Sequence, residues 1–144
     1  MALVTRNKPQ LTLEGARAVI AAAEQRAIEI GVPMDIAVVD DGGHLVTFAR
    51  MDGAKLSSVK IAIAKARSSA LRRQPSGPAR SGEQVNAVLS LGLSIGSQGE
   101  QIPLRGGLPL MVDGVCVGAI GISNGSEEQD IDVAQAGTRA IEKA

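Results

Sequence analysis

A chain of 144 residues falls in the size range of one domain. Fifteen basic residues cancel fifteen acidic ones, and a net charge of zero argues against a nucleic-acid footprint or an anionic membrane surface. Of its residues 44% are apolar but only 1% aromatic, Phe48 alone, so the core must be aliphatic and the usual base-stacking platform is missing.

Residues 1–10 are polar, contain Pro9 and read as an N-terminal arm ahead of a single domain over 11–144. They lack the apolar run of a secretory signal, and no stretch approaches the length of a membrane span, so the chain reads as soluble and cytoplasmic. Thr12 suits an N-cap, and Leu13, Ala16, Ile20, Ala23 and Ala27 recur at helical spacing up to Gly31 and Pro33. Ile36–Asp40 and His44–Ala49 are short apolar runs joined by Asp41-Gly42-Gly43, a β-hairpin signature. A second helix is expected over Lys55–Arg73, with Val59, Ile63, Ala66 and Ala70 on one face and cations in its last turn. Gln74–Gly82 is a loop by composition. Glu83–Leu93 reads as a short helix, Ser94–Glu100 has no clear assignment, and Ile102–Arg105 reads as a strand. Leu108–Val112 and Val115–Ser123 form a second hairpin across Asp113-Gly114. Ser126 and Gln129 make a capping box for a last helix whose first turn is acidic. Helix, hairpin, helices, hairpin, helix is an α+β pattern, best met by an antiparallel sheet covered by helices.

Four groups carry possible chemistry. His44 is the only histidine, so a site with two or more histidines within one chain is excluded; it is a candidate haem ligand or general base, with Met51 and Met111 as softer alternatives. Arg105-Gly106-Gly107-Leu108-Pro109 offers two glycines whose N–H groups can approach an anion, flanked by Arg105 and Glu100. Arg50, Asp52 and Lys65 form a third set: Arg50 can hold a carboxylate or propionate, and Lys65, between Ala64 and Ala66, is expected to be partly buried. The competing reading of that set is an internal ion pair tying hairpin to helix. Ser123 and Asn124 end the last strand and can donate to a ligand. Cys116, between Val115 and Val117, reads as a buried apolar residue. Six strand residues put His44 roughly 20 Å from Arg50, so the site is placed at the Arg50 end and His44 outside it.

Taken together, IAVVDDGGHLVTFARMDGA over 36–54, Lys65-Ala66, Arg105 to Pro109, Val117 to Ser123 and Glu128-Gln-Asp130 resemble the GlcG/HbpS-like haem-binding family, to which the C-terminal domain of PduO-type proteins is related. The resemblance runs from about Leu11 to Lys143. It implies an antiparallel sheet of about five strands covered by helices, profilin-like or PAS-like, and assembly into homo-oligomers. It places Gly106, Gly107 and Pro109 at a ligand pocket and lets the acidic stretch at Glu128 and Asp130 close that pocket or an interface. It also implies haem, held in some members through a histidine on the first helix; here that helix, Thr12–Ile30, has none.

The leading functional expectation is therefore a small-molecule-binding protein, with haem or a related tetrapyrrole as the named ligand and Arg50, Asp52, Arg105, Gly106, Gly107, Pro109 and Ser123 as its contacts. The alternative is an enzyme of the isomerase, lyase or hydrolase type acting on a small organic acid or carbonyl compound. It would use Lys65 or Glu100 for proton transfer and the Arg50 and Gly106-Gly107 groups for the anion. A third reading is a structural assembly subunit. No metal site, nucleic acid or membrane is expected.

Overall fold

The computed structural model describes residues 1–144. The first helix, α1 (Leu13–Ile30), begins where Thr12 Oγ1 accepts the Gly15 N–H at 3.0 Å and ends at Gly31, which caps it in the left-handed conformation. Strands β1 (Asp35–Asp40) and β2 (Leu45–Arg50) follow as an antiparallel hairpin. Its turn is held by Asp40, whose Oδ1 accepts the N–H groups of Gly42 and His44, each at 2.9 Å. Helix α2 (Ser58–Arg72) starts three residues after the expected Lys55, because Lys55 and Leu56 are taken up in turns to Ser58 and Val59.

The stretch after α2 differs most from expectation. Strands β3 (Arg80–Ser81) and β4 (Gln84–Val85) make a two-stranded hairpin inside the segment read as loop and helix. Helix α3 (Ala87–Gly96) starts later than Glu83, because Asn86 caps it through the Leu89 N–H at 2.9 Å. Ile102–Arg105 forms no strand. Strands β5 (Gly107–Val112) and β6 (Val115–Ser123) pair across Asp113 and Gly114, whose φ values of 51° and 76° are those of a type I′ turn. Helix α4 (Glu127–Arg139) carries the full capping box of Ser126 and Gln129.

The fold is α+β. The main sheet has four strands in the order β2-β1-β6-β5, all antiparallel, and the two-stranded hairpin is separate. One face packs Ile36, Val38, Ile120 and Ile122 against Val19 and Ala23 of α1 and Val133 of α4. The other face buries small residues, Ala37, Val39 and Ala119 against Ala62, Ala66 and Ala70 of α2, with Phe48 and Ile63 packed partly buried beside them. Small side chains on both partners let α2 lie low on the sheet. A Cβ at Gly121 would collide with the Ala62 carbonyl, and one at Gly107 with the Lys65 carbonyl, so both positions need glycine for the approach. No helix is long and apolar enough to cross a membrane.

Candidate functional site

Because α2 lies so close, the Lys65 side chain cannot reach solvent by the direct route. It runs along the sheet to the end of β6, where its Nζ donates to the Ile122 carbonyl and to Asp130 Oδ2, both at 2.8 Å. Lys65 is 4% exposed and Asp130 3%. Asp130 Oδ1 accepts the Gly125 N–H at 2.9 Å, so both carboxylate oxygens are engaged. Burial pushes the Asp130 carboxyl above the usual carboxylate range, against the opposing pull of Lys65 and the Gly125 N–H. The pair ties α2 to the first turn of α4.

Gly106 sits over this pair with φ 121°. A Cβ there would come within 2.9 Å of the Ile122 carbonyl and 3.1 Å of Lys65 Nζ. Its own carbonyl accepts the Ile122 N–H at 3.0 Å. The Gly107 N–H donates to Ser76 Oγ at 2.8 Å, and that hydroxyl donates to the Leu104 carbonyl at 2.7 Å. These bonds knit the glycines to α2, β6 and the Pro75–Ser76 loop, and the Gly107 N–H is already spent. The glycines therefore serve close packing here rather than an open nest of N–H donors.

Beside the pair opens a cleft of about 280 Å³, lined among others by Lys55, Ser58, Lys65, Arg105, Ser123 and Asn124. Its lining brings three cations (Lys55, Lys65 and Arg105) against two carboxylates (Glu127 and Asp130). Arg105 Nε meets Glu127 at 2.9 Å on the rim, where both side chains are largely exposed. Asn124 fixes the other rim: its Nδ2 donates to the Pro33 carbonyl at 2.6 Å and its Oδ1 accepts the Lys55 N–H at 3.4 Å. The cleft lies between the starts of α2 and α4, where unpaired helical N–H groups give a positive partial charge.

Of the residues singled out in the sequence, Lys65, Arg105 and Ser123 meet in this cleft, with Asp130 beneath them. Gly106 and Gly107 stand at its back and line a neighbouring hollow of about 240 Å³ that Arg105 also borders. Pro109 lies in β5, the edge strand, opposite Ala119. Arg50 and Asp52 do not join them. Arg50 ends β2, level with Asp35 and Ser123, while Gly107 begins β5 on the opposite edge. Three strand spacings, about 14 Å, separate the two edges. Glu100 also stands apart from Lys65, paired instead with Arg67. The expected tie between hairpin and helix is replaced by one between Lys65 and α4.

The residues considered as haem ligands are dispersed. His44 is exposed in the first hairpin turn, its Nδ1 3.1 Å from Asp40. Met51 Sδ accepts the Met34 N–H at 3.4 Å, and Met111 lies in edge strand β5. Cys116 is buried, as its neighbours implied, and donates to the Gly118 carbonyl at 3.2 Å. No three His, Cys, Asp or Glu side chains gather in a metal-holding arrangement.

Lys55, Ser58 and Asn124 are cleft residues to which sequence reasoning assigned no site role or a weak one. Asp130 was recognised as acidic but not as the partner of Lys65. The available signal was its helical spacing: with Ala134 and Gly137 it falls on the buried stripe of α4, where a lone acid requires a partner. Asp35 was also missed. It is fully buried opposite Ser123 and Arg50, and neither of its oxygens has a hydrogen-bond partner. Burial raises its carboxyl pKa, with Arg50 opposing.

The fold is shared with known proteins. The family model for the haem-degrading protein HbpS-like group matches residues 11–139. The chain is 37% identical to the protein GlcG of Escherichia coli over 123 residues, which is 82% of this chain and 84% of GlcG. The crystal structure of Klebsiella pneumoniae protein ORFY superposes with a TM-score of 0.84 at 32% identity, covering 98% of this chain and 97% of that one. A haem complex of PduOC superposes with a TM-score of 0.80 at 31% identity, covering 92% and 96%. Matched in sequence over most of its length and in fold throughout, the chain belongs to the HbpS-like family.

Proposed function

We propose that this chain is a small-molecule-binding protein whose site is the cleft between the starts of α2 and α4, and that its ligand is a small organic anion. The observation that carries this reading is the buried Lys65 at the edge of a cleft whose cations outnumber its carboxylates. Lys55 and Arg105 supply charge at the rim, and Ser58 and Ser123 supply hydroxyls. Lys65 itself is held by two acceptors and balanced by Asp130, so it is not a free base, and with Arg105 paired to Glu127 the excess cation of the cleft is Lys55. A volume of about 280 Å³ suits a ligand of modest size.

Haem is the ligand that the PduOC relative holds. Neither this cleft nor the hollow beside it offers haem an axial ligand. His44, Met51, Met111 and Cys116 line neither this cleft nor the hollow beside it, and the cleft wall is mainly polar. A haem would need an apolar slot next to an axial ligand. Its propionates share the carboxylate chemistry of the proposed ligand, so a direct comparison separates the readings.

Titration calorimetry with a panel of small mono- and dicarboxylates, beside a haemin titration followed at the Soret band, tests the proposal. We expect a small carboxylate to bind, and Arg105→Ala to weaken it by about 1.5–3 kcal/mol, the scale of a charge-assisted hydrogen bond. If no carboxylate binds while haemin gives a stoichiometric Soret shift, the cleft is not the functional site.

A further inference from the structure

Asp35 is fully buried, and neither of its carboxyl oxygens has a hydrogen-bond partner. Such a group costs stability, since nothing replaces the water it gave up. Its place in the sheet gives it a use. Alternate residues of a strand point to opposite faces. Ile36 and Val38 pack toward α1, so Asp35 points with Ala37 and Val39 toward α2. On β6, Ile120 and Ile122 pack toward α1, so Ser123 points with Ala119 toward α2. Asp35 and Ser123 are direct partners in the β1–β6 register and share that face. Cβ atoms of such a pair stand about 5 Å apart, close enough for a rotation of the Ser123 side chain to join hydroxyl and carboxyl. Ser123 lines the cleft and Asp35 does not, so the hydroxyl stands between the carboxyl and any ligand.

What Ser123 offers a ligand depends on the proton of Asp35. A hydroxyl has one proton to give. An ionised Asp35 can only accept, so it claims that proton and leaves the Ser123 lone pairs facing the cleft, with a negative charge behind them. An anion is repelled by both. A protonated Asp35 donates to the Ser123 oxygen and frees the hydroxyl proton for the anion. An anion therefore binds better to the protonated form, and by linkage its arrival tightens the hold of Asp35 on the proton. Burial favours the same neutral form, against the pull of Arg50 from β2. The charges on the other neighbouring elements, Lys55 and Lys65 on the α2 side and Glu127 and Asp130 on α4, line the cleft itself. Lys65 and Asp130 are bonded to each other, and Glu127 to Arg105.

We propose that Asp35, acting through the Ser123 hydroxyl, couples anion binding in the cleft to the uptake of a proton from solvent. The coupling rests on the cleft being the anion site proposed above. Asp35 is a positioning residue in it: it sets which way the Ser123 hydroxyl points and does not touch the ligand.

Titration calorimetry with pyruvate and with oxalate, carboxylates that stay ionised from about pH 5 to pH 9, tests the coupling. Paired runs in buffers of different ionisation enthalpy count the protons taken up. Wild-type affinity should fall as pH rises, by up to about tenfold per pH unit, with uptake approaching one proton per ligand where the slope is steepest. Asp35→Asn carries a neutral amide that donates at every pH, so it should keep the low-pH affinity across the range and take up no proton. Ser123→Ala should weaken binding at the low end of the range by about tenfold, the scale of one hydrogen bond, and flatten the slope. Wild-type binding without proton uptake anywhere in the range overturns the coupling and leaves the anion site standing. A folded Asp35→Asn variant that keeps the wild-type slope does the same. Failure of both anions to bind wild type and Asp35→Asn at any pH overturns the anion site and the coupling together.

Discussion

Replacing Lys65 by Met tests the central ion pair. The substitution keeps most of the side-chain volume, so the alanine-lined seat of α2 stays filled, but it removes the ammonium group from Asp130 and Ile122. Asp130 is then left 3% exposed with the Gly125 N–H as its remaining hydrogen-bond partner. Breaking one side of a buried pair costs about 3–5 kcal/mol, because the other charge remains uncompensated. That is a large part of the roughly 5–15 kcal/mol by which a domain is stable. The loss should also depend on pH. Burial already raises the Asp130 carboxyl above its ordinary value, and Lys65 is the largest influence pulling it down. A carboxyl whose folded pKa lies above its unfolded one binds its proton more tightly when folded. Its contribution therefore falls as pH rises from the unfolded pKa through the folded one, and is level above that. Without Lys65 the folded pKa moves further up, so Lys65→Met should cost less at pH 5 than at pH 8. Urea unfolding followed by circular dichroism measures both quantities. In a double-mutant cycle, Lys65→Met with Asp130→Asn should lose less than the sum of the single changes by about 1.5–3 kcal/mol. A single-variant cost below about 1 kcal/mol, the scale of an exposed ion pair, equal at both pH values, would refute the reasoning.

Three other outcomes follow from the packing. Gly107→Ala should destabilise by about 3 kcal/mol or more, since its Cβ meets the Lys65 carbonyl, whereas Gly92→Ala, in open space on α3, should stabilise by roughly 0.5–1 kcal/mol; thermal melts of the pair compare them directly. Asp35→Asn should raise stability at pH 8 by about 1 kcal/mol or more and change little at pH 4, because a buried carboxyl with a raised pKa costs stability only once it ionises; chemical denaturation at the two pH values checks the sign. Ser126→Ala removes the capping box of α4 and should cost about 1 kcal/mol in the same assay.

Features set by a few neighbouring residues were legible in the sequence. Thr12 and Gly31 bound α1, Asp113-Gly114 sets the second hairpin, and Ser126 with Gln129 opens α4, because caps and turns are decided locally. Around α3 the short helix was expected over Glu83–Leu93, but its bounds and the hairpin before it were not, for a physical reason. Sequence periodicity reports which side chains a core will bury, and α3 buries only Ser90. Lys65 was recognisable as a buried cation from the alanines around it, but its partner lies 65 residues away, on a helix whose packing against α2 and β6 no local pattern reveals. The supposed meeting of Arg50 with Gly106 and Gly107 failed on strand order. Each hairpin was identified correctly, yet they join through β1 and β6, which sends β2 and β5 to opposite edges.

Packing and site chemistry depend on the same small residues. Larger side chains at Ala37, Ala119 or Gly121 would lift α2 from the sheet. Lifted by even a methyl group, α2 would carry Lys65 away from the Ile122 carbonyl and Asp130, both now at hydrogen-bonding distance. The ammonium group would then turn to water, and Asp130 would lose its main cation. The first turn of α4, which Asp130 anchors, forms one wall of the cleft, and the start of α2 forms the other. A substitution at Gly121 is therefore expected to alter the cleft without touching it, because its Cβ would displace Ala62 and Ala66 and, through the helix they belong to, Lys65. In this fold the alanine and glycine content is what allows a charged pair to be buried next to the cleft.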